Sequence, residues 1–129
     1  MFVTAEKKVP EGNNARRLNP VDGCPLTAAL AAIGGKWKLI IVYWLAKSPR
    51  HFAALRQLIP GISSKVLTQQ LRELKSDGIV DRKPMGPIPA PVVYSLTDYG
   101  SSVLPLVENM RLWGRHHLES SAISRIRGA

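Results

Sequence analysis

The chain has 129 residues, a length suited to one domain, and 45% of them are hydrophobic, enough to build a core. Its 18 Lys plus Arg stand against 9 Asp plus Glu, and the formal net charge of +9 points to anionic partners: nucleic acid, acidic protein or membrane surface. The single cysteine, Cys24, excludes an intramolecular disulfide framework, and the longest apolar run, "LIIVYWLA" at 39–46, is far short of the roughly 18 residues of a membrane span.

Residues 1–20 mix Lys7, Lys8, Arg16 and Arg17 with Gly12, Asn13, Asn14 and two prolines, without apolar period, and are read as a flexible basic arm. The opening "MFVTAEKKVPEGNN" lacks the apolar stretch of a signal peptide, so the expected location is the cytoplasm, with no membrane partner. A single domain is expected over 21–122, followed by a tail at 123–129. Within it, "CPLTAALAAIGGKWKLIIVYWLAKSP" reads as two helices: Pro25 suits a first helical position, Gly34 and Gly35 mark the break, and Pro49 ends the second. Trp37 and Trp44, seven apart, fall on one face and are expected in the core or at a subunit contact.

"HFAALRQLIPGI" offers a short helix with Phe52, Leu55 and Leu58 inward, stopped by Pro60 and Gly61. After a tight turn, "SSKVLTQQLREL" at 63–74 begins a second helix, with Ser63 at the N-cap and Gly78 at the C-cap. Two short helices joined this way match helix-turn-helix geometry. After Gly78 the period falls to two: "IVDRK" and "VVYSL" are β-prone and bracket "PMGPIPAP", whose prolines cannot pair in a sheet, so the segment is a protruding loop between antiparallel strands, a wing. Thr97 is placed to cap a long last helix carrying Val103, Leu106, Met110, Trp113 and His117 at alternating spacings of three and four, with Pro105 either kinking it or marking its true first turn. The fold class is therefore mainly α with a small β-hairpin wing, a winged helix-turn-helix with helical elements at both ends.

The second helix of the motif carries the functional signal. Leu67, Leu71 and Leu74 share one face, and Lys65, Thr68, Gln69 and Arg72 share the opposite one. No acid occurs from residue 23 to residue 72, although Lys36, Lys38, Lys47, Arg50, Arg56, Lys65 and Arg72 lie there. A stripe of this kind suits the major groove of double-stranded DNA, where flanking phosphates would repel an acid. Arg72 or Lys65 can pair with guanine, Gln69 with adenine, and Thr68 with a thymine methyl or a phosphate, while Ser64 sits at the helix start that reaches base edges. Arg50, Arg56 and Lys83 are the weaker, phosphate-contacting candidates, and Arg82 lies beside them on the wing. The alternative from another class is a winged-helix interaction module whose basic face docks an acidic protein.

Cys24, at the N-cap if Pro25 starts the helix, sits where the dipole and free amides favour a thiolate, with Lys36 and Lys38 as candidate neighbours. Oxidants, electrophiles or another small molecule are thus candidate effectors. Enzyme signatures are missing from the sequence: it has no glycine-rich phosphate loop, no His-Glu-x-x-His and no Gly-x-Ser-x-Gly. His116 and His117 are adjacent, point about 100° apart on a helix and make a poor metal pair. No catalytic residue, metal or cofactor is expected.

The stretches "CPLTAALAAIGGKWKLIIVYWL", "RHFAALRQLIPGISSKVLTQQLRELKSDGIVDRK" and "VVYSLTDYGSSVLPLVENMRLWG", spanning 22–116, resemble the HxlR family of bacterial winged-helix regulators, relatives of the MarR type. The resemblance implies a homodimer, assembled through N-terminal and C-terminal helices, that regulates transcription from a two-fold related operator. It also adds weight to Cys24, because several relatives with a cysteine at this place sense oxidants or electrophiles. Two departures stand out: Ser64 occupies a place where proline is frequent, and Ala90-Pro91 one where Pro-Arg is common. The dimer has an independent rationale, since two recognition helices held one DNA turn apart, roughly 34–36 Å, read a palindrome that one helix cannot. Met110 and Trp113, on the last helix, are the interface candidates.

Overall fold

The computed structural model of the chain describes residues 23–87 and 90–128. The basic arm expected at 1–20 lies outside the described residues.

Helix α1 (Pro25–Ile33) starts with proline at its first position and Cys24 as its extended N-cap residue, and it ends where the Gly34 amide donates to the Leu30 carbonyl. Gly35, at φ +91°, turns the chain into α2 (Lys38–Lys47), which sends Ile41, Val42 and Leu45 into the core. Trp37 precedes α2 and Trp44 lies within it; both are half-buried against the same core. Pro49 follows, and Arg50–His51 form the short strand β1.

The next helix, α3 (Phe52–Leu58), buries Leu55 completely and packs Phe52 and Leu58 against the core. Gly61, at φ +84°, makes the turn into α4 (Ser64–Ser76), while Ile59 and Ile62 pin both ends of that turn inside. The Ser63 hydroxyl accepts from the Val66 amide at 3.1 Å, as an N-cap should. At the far end Gly78, at φ +75°, reverses the chain, and the Ile79 amide donates to the Leu74 carbonyl at 2.9 Å.

Strands β2 (Val80–Pro84) and β3 (Val92–Leu96) pair antiparallel, from Val80 opposite Leu96 to Pro84 opposite Val92. Beyond them the Met85 amide still donates to the Pro91 carbonyl at 2.8 Å, closing the loop neck. The hairpin foreseen from the period of two is there, but it is part of a three-stranded sheet in the order β1-β3-β2, with Arg50 opposite Tyr94. Among the described residues no single helix is long and apolar enough to cross a membrane.

One expectation at the C-terminal side needs correction. Thr97 caps a separate short helix, α5 (Asp98–Ser101), not the long one: its hydroxyl accepts from the Gly100 amide at 2.9 Å and donates to the Gly78 carbonyl, tying the ends of α4 and β3 together. The long helix, α6, is Leu104–Gly128, so Pro105 falls in its first turn, one of its two expected places, where a missing amide costs nothing. Among the described residues of α6, Val107 is the one buried in the core.

Leu67, Leu71 and Leu74 are at most 2% exposed and lock α4 to this core. Leu71→Ala should therefore destabilise the fold by about 2–5 kcal/mol through lost burial and a residual cavity. Chemical denaturation, comparing midpoints at unchanged slope, measures it.

Candidate nucleic-acid interface

With its leucines buried, α4 can present only one face to solvent. Ser64, Lys65, Thr68, Gln69 and Arg72 are all exposed on that face and together with Val66 line one open concavity of about 740 Å³. A second concavity of about 400 Å³ lies between α4 and the sheet, lined by Thr68, Leu71, Arg72, Lys75, Arg82 and Tyr94. Thr68 and Arg72 belong to both, so the two form one continuous surface. Its second half holds three cationic side chains, Arg72, Lys75 and Arg82, and its lining contains no acid.

The turn below Gln69 carries an acid whose charge is already matched. Glu73 Oε1 lies 2.7 Å from Lys38 Nζ, and the Lys38 side chain is 6% exposed. The other carboxylate oxygen, Oε2, accepts from Gln69 Nε2 at 2.9 Å. Gln69 is thus hydrogen-bonded within its own helix at the four-residue spacing that brings side chains together.

The weaker candidates are not brought into this surface. Arg50 lies in β1 with its guanidinium carbon 6.0 Å from the centre of the Trp44 ring and its Nε buried without a hydrogen-bond partner. Arg56 is exposed on α3, lining a separate hollow with Phe52, Ala53 and Gln57. Lys83 sits on β2 with Nζ 3.4 Å from Asp81 Oδ2, a solvent-exposed pair of the kind that contributes little. Alternation along β2 separates Lys83 from Arg82, and Arg82 is the one turned towards Arg72. Lys75 and Tyr94 were not singled out from the sequence. Lys75 lies three residues after Arg72, a spacing that could have revealed it, whereas Tyr94 arrives through sheet pairing opposite Arg82.

Cys24 is exposed at the start of α1, and its pKa is lowered by the Thr27 amide, then the Thr27 hydroxyl and the Leu26 amide. The lysines proposed as neighbours are engaged elsewhere: Lys36 Nζ lies 4.5 Å from the centre of the Trp37 ring, and Lys38 is buried with Glu73. The lowering is a backbone and hydroxyl effect at a helix N-terminus.

Apolar side chains remain uncovered on α1 and α6. Leu26 and Leu30 on α1, and Met110, Trp113 and Leu118 on α6, are all more than half exposed, with Trp113 at 67%. The Trp113 ring stacks on His117, with centroids 5.1 Å apart and planes 11° from parallel. Between α2 and α6 an apolar hollow of about 500 Å³ is lined by Leu39, Ile40, Tyr43, Val107, Met110 and Arg111.

Against known proteins, a family model described as HxlR-like helix-turn-helix matches residues 32–122. The HTH-type transcriptional regulator YybR of Bacillus subtilis strain 168 is 43% identical over 93 residues, covering 72% of this chain and 74% of that protein. Among solved structures, the putative HTH-type transcriptional regulator ytcD superposes with a TM-score of 0.70 at 38% identity, covering 74% of this chain and 98% of the other. The redox regulator HypR in its reduced form superposes with a TM-score of 0.69 at 42% identity, covering 75% and 99%.

The Cys24 environment yields a pH prediction. A lowered pKa means that the thiolate forms at lower pH than in an unstructured peptide, so the midpoint of alkylation rate against pH should lie below that of a free cysteine peptide. Thr27→Val removes the hydroxyl and should move the midpoint upward. Iodoacetamide kinetics across pH measure both.

Proposed function

The chain belongs to the HxlR-like helix-turn-helix family of DNA-binding transcriptional regulators, which act as homodimers, and from that premise we propose that it binds a palindromic operator through the polar face of α4. The observation that carries this reading is the continuous surface from Ser64 to Arg82, which carries Lys65, Arg72, Lys75 and Arg82 with no acid in its lining and is fixed in direction by the buried leucines beneath it. The family is one of regulators, not enzymes.

In this reading α4 enters the major groove. Lys65 and Arg72 donate to guanine O6 and N7, Gln69 pairs with adenine, Thr68 meets a thymine methyl or a phosphate, and Ser64 lies at the helix start nearest the bases. Lys75 and Arg82, in the cleft between α4 and the wing, take backbone phosphates, which hold the protein in register without reading sequence. Arg50, Arg56 and Lys83 fall to a peripheral electrostatic role. The uncovered residues of α1 and α6, Met110 and Trp113 among them, form the dimer surface, placing two α4 helices on half-sites one DNA turn apart, about 34–36 Å. The site of action is the cytoplasm, where the operator is.

Cys24 is the proposed sensor. Its exposure and lowered pKa favour attack on an oxidant or electrophile, and the redox regulator HypR, 42% identical, supports the same use here. With one thiol per chain, oxidation ends in a disulfide to the partner's Cys24 or in a mixed disulfide with a small thiol.

Selection of binders from random duplexes, with and without a mild thiol oxidant, tests the whole reading. It should enrich one two-fold related motif, and oxidant should change binding in the wild type but not in Cys24→Ser. Enrichment of no motif would favour the acidic-partner module instead. On the selected duplex, Arg72→Ala should cost about 1–3 kcal/mol and relax one base step, whereas Lys75→Met or Arg82→Met should keep the motif and lower the slope of log affinity against log salt by about 1. Loss of one base preference on replacing Lys75 would make it a base reader.

A further inference from the structure

We infer that Glu73, held in place by the buried Lys38 ammonium, is a positioning residue for base recognition that fixes which way round the Gln69 amide faces the DNA. The inference deepens the operator reading of α4 and rests on it. A glutamine side chain has a donor end and an acceptor end of almost equal size, and an exposed glutamine exchanges the two by rotation about its last bond. Gln69 cannot do so at equal cost. Its Nε2 donates to Glu73 Oε2 at 2.9 Å, and the reversed amide would set its carbonyl oxygen against a carboxylate oxygen.

The carboxylate, in turn, is not free to swing away. Its Oε1 lies 2.7 Å from Lys38 Nζ, and Lys38 projects from α2 into the interior with its side chain 6% exposed. A buried ammonium without its acid would be strongly unfavourable, so the ion pair holds Glu73 against α2. It also matches the negative charge that would otherwise stand one turn from the phosphates. The chain of contacts therefore runs from a buried cation, through a carboxylate that uses both oxygens, to an exposed amide on the reading face.

The consequence is a defined pattern at the outer edge of Gln69. One Nε2 proton is taken by Glu73, which leaves the second proton and the carbonyl oxygen for a ligand. A donor beside an acceptor, in one fixed order, complements N7 and the N6 amino group of adenine. Glu73 thus contributes to base preference without touching a base, and Lys38 contributes by holding Glu73.

The test is selection of binders from random duplexes by the full chain and by Glu73→Gln, Gln69→Ala and the double variant. Glu73→Gln keeps the shape but can donate to or accept from Gln69, so either amide orientation becomes acceptable. The wild type should prefer one base, adenine, by about ten-fold at one step per half-site, and Glu73→Gln should reduce that preference about five-fold with the rest of the motif retained. Gln69→Ala should abolish the preference, and adding Glu73→Gln to it should change nothing further at that step. A motif that Glu73→Gln leaves unchanged, or alters equally with Gln69 absent, overturns the role of Glu73 while leaving the operator reading intact. A wild type that selects no motif overturns both. A measurement on the unbound wild-type protein guards against a variant that misfolds: the Gln69 side-chain amide should resonate downfield of those of Gln57 and Gln70. Coincident resonances would show that no carboxylate holds it and overturn the inference.

Discussion

The rotation of α4 about its own axis is the constraint on which the rest depends. Leu67, Leu71 and Leu74 are at most 2% exposed, and turning the helix by one residue, about 100°, would bring them towards water. At about 1.5–3 kcal/mol for each buried leucine, no polar contact on the opposite face could offset that loss. The geometry of the proposed interface follows from this rotation: the direction of Lys65, Thr68, Gln69 and Arg72, and the place where Arg72 meets the wing. The wing inherits the same frame, because Gly78 reverses the chain immediately after α4 and Thr97 ties the Gly78 carbonyl to the end of β3. Arg82 and Arg72 share one cleft because a short turn and one hydroxyl leave the hairpin little freedom.

Charge placement adds a second level to this apolar frame. A basic surface gains from an acid only where the acid does not reach the phosphates, and Glu73 meets that condition through Lys38. The pair differs in kind from Lys83 with Asp81, which are 74% and 40% exposed, screened by salt and contribute little. Stability alone does not explain a buried ion pair, since well-packed apolar residues often do as well. What apolar residues could not do is hold the Gln69 amide. The interior cation thus links the fold of α2 to the chemistry of the face on the far side of α4.

Most of the fold was legible in the sequence because its signals are local. The leucine spacing, Ser63 before a polar helix, Gly61 and Gly78 at turns, and prolines crowding the wing loop each act within a few residues of themselves. What escaped is long-range. Strand β1 has two residues, too few for alternation to register, and exists only because the edge of β3 is available to Arg50 and His51. In the sequence Lys38 is one cation of an acid-free run and a candidate neighbour of Cys24, and only the packing of α2 against α4 brings it to a residue 35 positions away. Tyr94 enters the cleft through sheet pairing opposite Arg82. The acid-free run counted from the sequence ended at residue 72, one position short of the acid that organises Gln69.

The two ends of the chain couple to this surface through geometry. Helix α1 has nine residues, and its uncovered Leu26 and Leu30 lie within two turns of Cys24 at its N-cap. A second subunit covering those leucines would place the thiol at the margin of the subunit contact, and any adduct there would add bulk at a helix N-terminus. The uncovered face of α6 lies on a helix that enters the same core through Val107, next to α2, the helix that carries Lys38. A shift between subunits would therefore pass through rigid packed helices to the separation of two α4 faces. On the proposed palindromic operator that separation would matter, because B-DNA presents successive major grooves at one fixed distance. On the proposed reading, a small chemical change at Cys24 would act without altering any base contact, by moving one half of the reading surface relative to the other.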